Sequence, residues 1–296
     1  MSLLARASAA AGSLRCLAAA TTDIVEDARR RHGLYPTAAA AVGRTMTATV
    51  MMGAMLTDDQ RVVVEIVGDG PLGHIVADAD AHGNVRAYAA NPRVHLPANA
   101  KGKLDVAGAV GKGTLHVTKD LQLREMYRGM VPLISGEIAE DFAYYFVQSE
   151  QVPSAVSLGV LVDTDSSIRA AGGLIVQVLP GADPALIDEL EKRLKTLQSV
   201  SHMVQIGMGP AQMIDALLDG FDVRHLGEMP LQFSCRCSRE RFSKALIALG
   251  PAEIEAMIRE PGGAELVCNF CAETYHFTAD DLRQLIQAAT DDGDDD

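Results

Sequence analysis

Residues 62–92, VVVEIVGDGPLGHIVADADAHGNVRAYAANP, consist of three short apolar runs separated by Gly, Pro, Asp and Asn. Turn-forming residues between runs rich in Val and Ile are typical of a β-meander. The string Gly68-x-Gly70-x-x-Gly73 also matches the dinucleotide-binding fingerprint, but it contains Pro71 and leads into a second strand. That fingerprint needs the N-terminus of a helix to hold a pyrophosphate. We therefore predict a β-meander with a tight hairpin turn at this string.

The segments on either side of the meander predict one α+β domain over residues 1–180. Before the meander, Pro36 opens a run of Ala, Thr, Met and Val from Thr37 to Leu56. Because this run contains Arg44, four Thr and two Gly, a buried core helix explains it better than a membrane span. Further elements are predicted as a short helix at 23–32, a helix at 137–148, and strands at 113–118, 155–162 and 173–179.

The first 22 residues allow two interpretations. They contain Arg6, Arg15, many Ala and Ser and no acidic residue, as an organelle transit peptide does. They also fit a strand over 3–7 and another over 14–18, joined by an Ala-Gly-Ser turn. We favour the strands.

Composition and charge exclude several classes of protein. The chain has 296 residues, of which 48% are hydrophobic and 22% charged, as in globular proteins. Its net charge of −13 and the absence of Trp disfavour general binding to nucleic acid or anionic lipid. The sequence contains neither a G-x-S-x-G elbow nor two histidines at i, i+4 beside a Glu. We predict that the chain is not an enzyme.

The residues after Pro180-Gly181 change in character. Pro184 starts an amphipathic helix with leucines, including Leu190 and Leu194, on one stripe, and a second short helix is predicted at 211–218. Four methionines follow in this region, namely Met203, Met208, Met213 and Met229. Met adapts to irregular apolar surroundings. We predict a helical linker over residues 181–231 rather than a compact core.

Four of the five cysteines form two close pairs near the C-terminus. They are written Cys235-Arg236-Cys237 and, after 30 intervening residues, Cys268-Asn269-Phe270-Cys271. Each pair can supply two of the four ligands of a tetrahedrally coordinated ion, so the spacing predicts a four-thiolate zinc site. Unpaired thiols of this kind also indicate a reducing compartment. His225 and His276 are alternative ligands that a complete set of four cysteines makes unnecessary. The fifth cysteine, Cys16, is expected to be buried as a small apolar side chain.

The region around the paired cysteines is small. Two helices, 241–249 and 252–260, are predicted between the pairs. A domain of about 60 residues buries little apolar surface, so we expect bound zinc to supply much of its stability. The nearby cations Arg236, Arg239 and Lys244 are expected to favour thiolate over thiol.

The cysteine pattern resembles that of the 33 kDa heat-shock chaperonin family, which consists of redox-regulated holdases. The resemblance extends to GDGPLGHIVADADAHGNVRAY (68–88), LISGEIAEDFAYYFVQSEQVPSAVSLGVLVD (133–163) and AAGGLIVQVLPGA (170–182). Together these stretches cover nearly the whole chain. The family's domain begins at about residue 1, which argues for the strands over the transit peptide.

The resemblance implies a cytoplasmic, ATP-independent holdase that is inactive when reduced and zinc-bound. Oxidants would form the disulfides Cys235–Cys237 and Cys268–Cys271, release zinc and unfold the C-terminal region and the linker. The exposed surface would then capture unfolding client proteins, and the active form would be a homodimer. The resemblance implies an α+β chaperone core (1–180), a metastable helical linker (181–231), a zinc-binding redox-switch domain (232–290) and an acidic tail (291–296).

Two other hypotheses come from the cysteines alone. One is a zinc-ribbon interaction module, for instance with nucleic acid, which the charge of −13 disfavours. The other is a thiol–disulfide oxidoreductase that uses Cys268 and Cys271. It is disfavoured because this pair does not open a helix after a strand in a βαβ unit.

Overall fold

The computed structural model describes residues 1–260 and 263–291, which belong to two compact units, Met1–Ser234 and Cys235–Asp296. Residues 292–296 of the predicted acidic tail lie outside the described residues. The described residues form an α+β fold, which confirms the predicted fold class.

The first unit contains two β-sheets. The five-stranded sheet has the order β10 (Arg224–Pro230), β1 (Leu3–Ala9), β2 (Leu14–Ala20), β9 (Ile168–Val178) and β8 (Ser154–Val162). The six-stranded sheet has the order β11 (Gln232–Phe233), β5 (Asn84–Ala89), β4 (His74–Asp80), β3 (Arg61–Gly68), β6 (Gly113–Asp120) and β7 (Tyr127–Pro132). Apart from the parallel pair β11 and β5, the strand pairings described in both sheets are antiparallel.

The helices of this unit pack on those sheets. They are α1 (Thr22–His32), α2 (Pro36–Gly53), α3 (Val106–Val110), α4 (Ala139–Gln148), α5 (Pro184–Thr196), α6 (Val200–Gln205) and α7 (Pro210–Leu218), with a one-turn 3₁₀ helix at Ala10–Gly12. The predicted core helix is confirmed, because α2 is buried along nearly its whole length and packs against β4, β5 and β8. Among the described residues, no helix has both the length and the apolar character needed to cross a membrane.

The meander and the first two strands are confirmed as well. Strands β3, β4 and β5 follow one another as antiparallel neighbours. The glycine string is a hairpin turn, in which the Gly68 N–H donates to the Gly73 carbonyl at 3.0 Å and Gly73 has φ +70°. A Cβ atom at Gly68 would lie 1.9 Å from the carbonyl oxygen of Val110, so only glycine fits there. At the N-terminus, β1 and β2 pair from Leu3 opposite Ala20 onward.

Segment 181–231 contains the expected helices and also β10, which its sequence did not predict. The strand RHLGEMP is mostly exposed and shows no apolar alternation, and it is held by antiparallel pairing to β1. Helix α7 is more deeply packed than a linker would require, since Met213, Ile214, Leu217 and Leu218 are all buried. By contrast, Leu190 is the one residue described as buried in α5.

The second unit has a small core. It contains α8 (Arg239–Leu249), α9 (Pro251–Arg259), α10 (Ala279–Asp291) and the hairpin of β12 (Ala264–Val267) and β13 (Thr274–Phe277). The two helices predicted between the cysteine pairs are therefore confirmed, whereas α10 and the hairpin were not predicted. The fully buried apolar residues described here are Leu246, Ile254, Phe277 and Leu282.

Candidate metal centre

The first cysteine pair lies at the N-terminal end of α8. Cys235 and Cys237 are half-buried, and Ser238 follows them directly as the N-cap of that helix. The Ser238 hydroxyl oxygen accepts a hydrogen bond from the Arg241 N–H at 3.2 Å. Such a cap ties the chain to the first turn of a helix, so it fixes where the preceding cysteines emerge.

The second pair lies in the loop that joins β12 to β13. The Cys268 N–H donates to the Glu273 carbonyl at 2.9 Å, and the Ala272 N–H donates to the Cys268 carbonyl at 2.8 Å. Ala272 has φ +58°, a left-handed conformation in which a residue other than glycine is uncommon. These bonds fold the loop tightly enough to bring Cys268 and Cys271 to one side of it.

The four predicted sulfur atoms come together. The Sγ atoms of Cys235 and Cys268 are 3.7 Å apart, those of Cys237 and Cys271 are 3.3 Å apart, and all four lie within 4.8 Å of one another. Tetrahedral zinc with Zn–S bonds of about 2.3 Å requires sulfur–sulfur distances of about 3.8 Å. The donor set therefore fits a tetrahedral metal ion.

Neither alternative histidine ligand belongs to this cluster. The His276 Nδ1 atom lies 3.4 Å from a Glu265 carboxylate oxygen, and its side chain is exposed. In the first unit, His225 Nε2 lies 2.8 Å from the Asp215 carboxylate. The cluster found among the described residues consists of the four cysteines alone.

Two of the three cations expected to favour thiolates, Arg239 and Lys244, are paired with carboxylates instead. Arg239 pairs with Asp281 at 2.9 Å and stacks over the Phe277 ring, and Lys244 pairs with Glu240 at 3.1 Å. Burial raises the pKa of the Cys268 thiol and that of the Cys271 thiol. A cation bound among the four sulfurs would favour the thiolate form, because a coordinated thiol is deprotonated outright.

Tyr275 is a site residue that the sequence reasoning missed. Its hydroxyl donates to the Cys237 Sγ atom at 3.3 Å, and this hydrogen bond is the main cause that raises the pKa of the Tyr275 phenol. Its ring packs 4.8 Å from that of Phe242. The available signal was the period-two pattern of β13, which places Tyr275 on the same face as the buried Phe277.

Comparisons with known proteins agree with this centre. A family profile described as Hsp33 protein matches residues 2–278, a range that includes all four clustered cysteines. The chain belongs to the Hsp33 family. Its relatives include a 33 kDa chaperonin of Geobacillus sp. (strain WCH70), 52% identical over 287 residues and covering 97% of each chain. Another, from Bacillus subtilis (strain 168), is 50% identical over 291 residues, which are 98% of this chain and 100% of the relative.

A solved structure supports the Hsp33 fold over the full length. The crystal structure of the 33 kDa chaperonin (heat shock protein 33 homolog) from Thermotoga maritima matches with a TM-score of 0.90 at 37% identity. The match covers 98% of this chain and 99% of that one. Membership in the Hsp33 family makes this chain a redox-regulated chaperone rather than an enzyme.

Proposed function

We propose that this chaperone is latent while its four clustered cysteines hold one zinc ion, and that disulfide formation activates it to hold unfolding client proteins without ATP. The observation that carries the proposal is the approach of all four sulfurs to within 4.8 Å in a unit that has little other core. Family membership supports the chaperone activity itself.

The donor set supports zinc as the metal. Four thiolates in tetrahedral arrangement suit Zn²⁺, which as a structural ion stabilises the fold that surrounds it. The contribution measured for small zinc domains is about 10–16 kcal/mol, which exceeds the total stability of most domains. Burial of the four core residues of the second unit contributes about 6–12 kcal/mol, well below the conformational entropy lost when a unit of this size folds. We therefore expect residues 235–291 to depend on the zinc-bound cysteines for folding.

The oxidation step involves the same cysteines. Each pair of zinc-bound thiolates, Cys235–Cys237 and Cys268–Cys271, would lose two electrons to form one S–S bond and would release its hold on the zinc ion. Hydrogen peroxide would accept the two electrons and, with two protons from solvent, leave as two water molecules. A sulfur in a disulfide no longer offers a thiolate to a metal. The two loops closed by these disulfides are too short to restrict the unfolded chain much, so oxidation would leave this unit without its main source of stability.

The disulfide pairing needs its own test. Two close sulfur–sulfur approaches, 3.7 Å and 3.3 Å, join residues of different pairs, namely Cys235 to Cys268 and Cys237 to Cys271. Peptide mapping by mass spectrometry after peroxide treatment should find Cys235–Cys237 and Cys268–Cys271. Recovery of peptides joined through Cys235–Cys268 would contradict the proposed pairing.

The surface under the linker helices is suited to clients. Helices α5 to α7 lie over an apolar face of β1, β2 and β9, which includes Ala5, Ala7, Leu14, Cys16, Leu174 and Val176. Release of the helices would expose this face together with the apolar stripes of the helices. Among them, the methionines Met203 and Met213 suit a surface that accepts many partners.

We propose that four regions of the chain have different roles. Residues 1–180 would be the chaperone core, 181–231 the metastable linker, 232–290 the redox-switch domain and 291–296 an acidic tail. We also propose a homodimer in the active state and a cytoplasmic location. The dimer is tested by light scattering coupled to size-exclusion chromatography of reduced and oxidised samples, and the location by fractionation of the source cells.

The central experiment is suppression of aggregation. A thermally unfolding test protein is heated without ATP, together with reduced or peroxide-treated chain. We expect suppression of light scattering by the treated sample alone. The matched control is the variant in which Cys235, Cys237, Cys268 and Cys271 are all Ser, whose activity should no longer respond to peroxide. Equal suppression by reduced and treated wild type would contradict the redox switch.

A further inference from the structure

A cavity of about 290 Å³ lies in the first unit, beside the C-terminal end of α2. Its apolar walls are Leu17 of β2, Met55 and Leu56 after α2, and Leu226 of β10. Its volume is at the small end of the range of about 300–1,000 Å³ typical of ligand pockets. Two guanidinium groups, those of Arg6 and Arg15, also line it.

The two arginines lack a counter-charge. Arg6 Nη1 donates to the Ala54 carbonyl at 3.4 Å, a long hydrogen bond to a neutral group. Arg15 is half-buried, and no hydrogen bond or ion pair is found for it among the described residues. No acidic residue is found among the described residues that line the cavity. Arg6 is exposed and Arg15 is half-buried, and among the described residues of the cavity lining no carboxylate competes with a ligand for these two cations.

Other half-buried arginines of this unit contrast with Arg15, whereas Arg6 is exposed. Arg61 and Arg86 both bind the Asp78 carboxylate at 2.6 Å, and Arg44 binds Glu137 at 2.6 Å. A cation removed from water is stabilised by a charged hydrogen-bond acceptor, and a carboxylate accepts two parallel bonds from a guanidinium. The cavity supplies the donors and the apolar walls but not the acceptor.

We propose that this cavity binds a small anionic amphiphile, namely an alkyl chain that ends in a carboxylate, such as a medium-chain fatty acid. The carboxylate would accept hydrogen bonds from Arg6 and Arg15. The alkyl chain would lie on Leu17, Leu56 and Leu226. A free phosphate or acetate lacks the apolar part that these walls would bury, and a neutral alkyl chain lacks the charge that the arginines would bind.

Ligand binding would also influence the redox switch. Leu226 belongs to β10, a strand of the segment 181–231 that, under the proposed function, must leave its place for activation. A ligand that binds only while β10 is paired with β1 stabilises that state by mass action. Saturating ligand should therefore delay activation by peroxide. This consequence rests on the proposed function, whereas the binding site itself does not.

Calorimetric titration of the reduced, zinc-loaded full chain with octanoate tests the site. We expect saturable binding of one octanoate per chain, with no saturable binding of acetate or octylammonium. Arg15→Gln should weaken octanoate binding about tenfold or more, because it removes a charged hydrogen-bond donor. Arg169→Gln is the matched control, since Arg169 pairs with Asp163 on the surface and does not line the cavity. This variant should bind octanoate as tightly as wild type does.

Several outcomes would overturn the proposal. Equal binding of octan-1-ol would show that the arginines take no part, and equal binding of acetate would show that the apolar walls take none. If Arg15→Gln does not fold, Thr57→Glu provides a second variant. Thr57 is exposed at the cavity, so the new carboxylate should compete for the arginines and abolish octanoate binding without unfolding the chain. Unchanged binding by Thr57→Glu would contradict the site.

The coupling to the switch has a separate readout. With octanoate at about one hundred times its dissociation constant for wild type, activation by peroxide should be slower in wild type, and the delay should be smaller in Arg15→Gln, which binds octanoate more weakly. Saturable binding with unchanged activation would overturn the coupling alone. A chain that never suppresses aggregation but still binds octanoate would overturn the proposed function and leave the site intact.

Discussion

The two compact units of this chain are stabilised by different means. The first unit packs α2 and its sheets around a large apolar core. The buried Asp78 carboxylate of this unit forms ion pairs with both Arg61 and Arg86. The second unit fully buries only four apolar residues among those described, Leu246, Ile254, Phe277 and Leu282, and brings four sulfurs together at one point. The comparison teaches where regulation can act, because oxidisable sulfurs of the first unit such as those of Met46 and Cys16 are fully buried in apolar surroundings, whereas the second unit brings four thiols together at one point.

Loss of one clustered sulfur should give the largest effect, and this effect should be confined to the second unit. We expect Cys268→Ser to unfold residues 235–291, because three thiolates hold zinc too weakly to offset a folding deficit of about 10 kcal/mol. Hydrogen exchange measured by mass spectrometry should show rapid exchange in α8 to α10 and unchanged protection in α2 and β3.

The control for this experiment is Cys16→Ala, which leaves the four clustered sulfurs in place. It should retain one zinc per chain and slow exchange in α8 to α10. Persistent protection of α8 and α9 in Cys268→Ser would show that the second unit folds on its apolar residues alone.

The first unit should instead be vulnerable at a buried carboxylate. Asp141 is fully buried, and its two oxygens accept backbone N–H bonds from Ile134, Ser135, Gly136 and Ile138, the shortest of them 2.7 Å. Asp141→Ala leaves these donors without partners, so we expect a loss of about 3–5 kcal/mol in the free energy of unfolding. Urea denaturation followed by circular dichroism measures it.

The neighbouring exposed residue provides the control for Asp141. Glu140→Ala should change the free energy of unfolding by no more than about 0.5 kcal/mol. The zinc content of both variants should equal that of wild type. A loss of zinc in Asp141→Ala would contradict the separation of the two stabilising mechanisms.

Segment 181–231 lies between these extremes, since Leu190 is the one residue described as buried in α5, whereas α7 contributes four buried side chains to the same apolar cluster. Leu190 is 3% exposed and Leu194 is partly buried in the same apolar cluster. Replacing both with Ser should loosen the segment, because each change removes apolar contact and adds a hydroxyl. We expect activity without oxidant. The same double change should make Cys16 reactive.

Cys16 provides a chemical readout of this loosening. Cys16 is 0% exposed and its burial raises the pKa of the thiol to about 12, so near pH 8 it stays protonated and inert to iodoacetamide. If the segment leaves the apolar face, the thiol becomes exposed, its pKa falls toward the ordinary value and alkylation accelerates. Leu123→Ser, at a side chain that is 70% exposed, is the control. Unchanged latency and unchanged alkylation in the double variant would count against the linker proposal.

The sequence predicted features that depend on local chemistry. The spacing of glycine and proline predicted the meander. The apolar run of α2, in which Arg44 is the one charged residue, predicted a core helix. The cysteine spacing predicted which sulfurs come together. The sequence did not predict β10, because the residues of this strand show no apolar alternation. The strand is instead held by antiparallel pairing with β1. The sequence also misassigned Arg239, since the Asp281 carboxylate that holds this cation becomes its neighbour only through folding.

The smallest effect should come from the hydroxyl that contacts the cluster. Tyr275→Phe removes the hydrogen bond to the Cys237 Sγ atom and retains the ring that packs on Phe242. A neutral hydrogen bond to a metal-bound sulfur contributes about 1 kcal/mol, so zinc affinity should fall about fivefold while the unit stays folded. Competition with a chromophoric zinc chelator measures this affinity. Tyr35→Phe, at an exposed ring in the first unit, should leave it unchanged. An unaltered zinc affinity in Tyr275→Phe would mean that this hydroxyl contributes nothing to the metal centre, so that the four sulfurs alone would set its affinity.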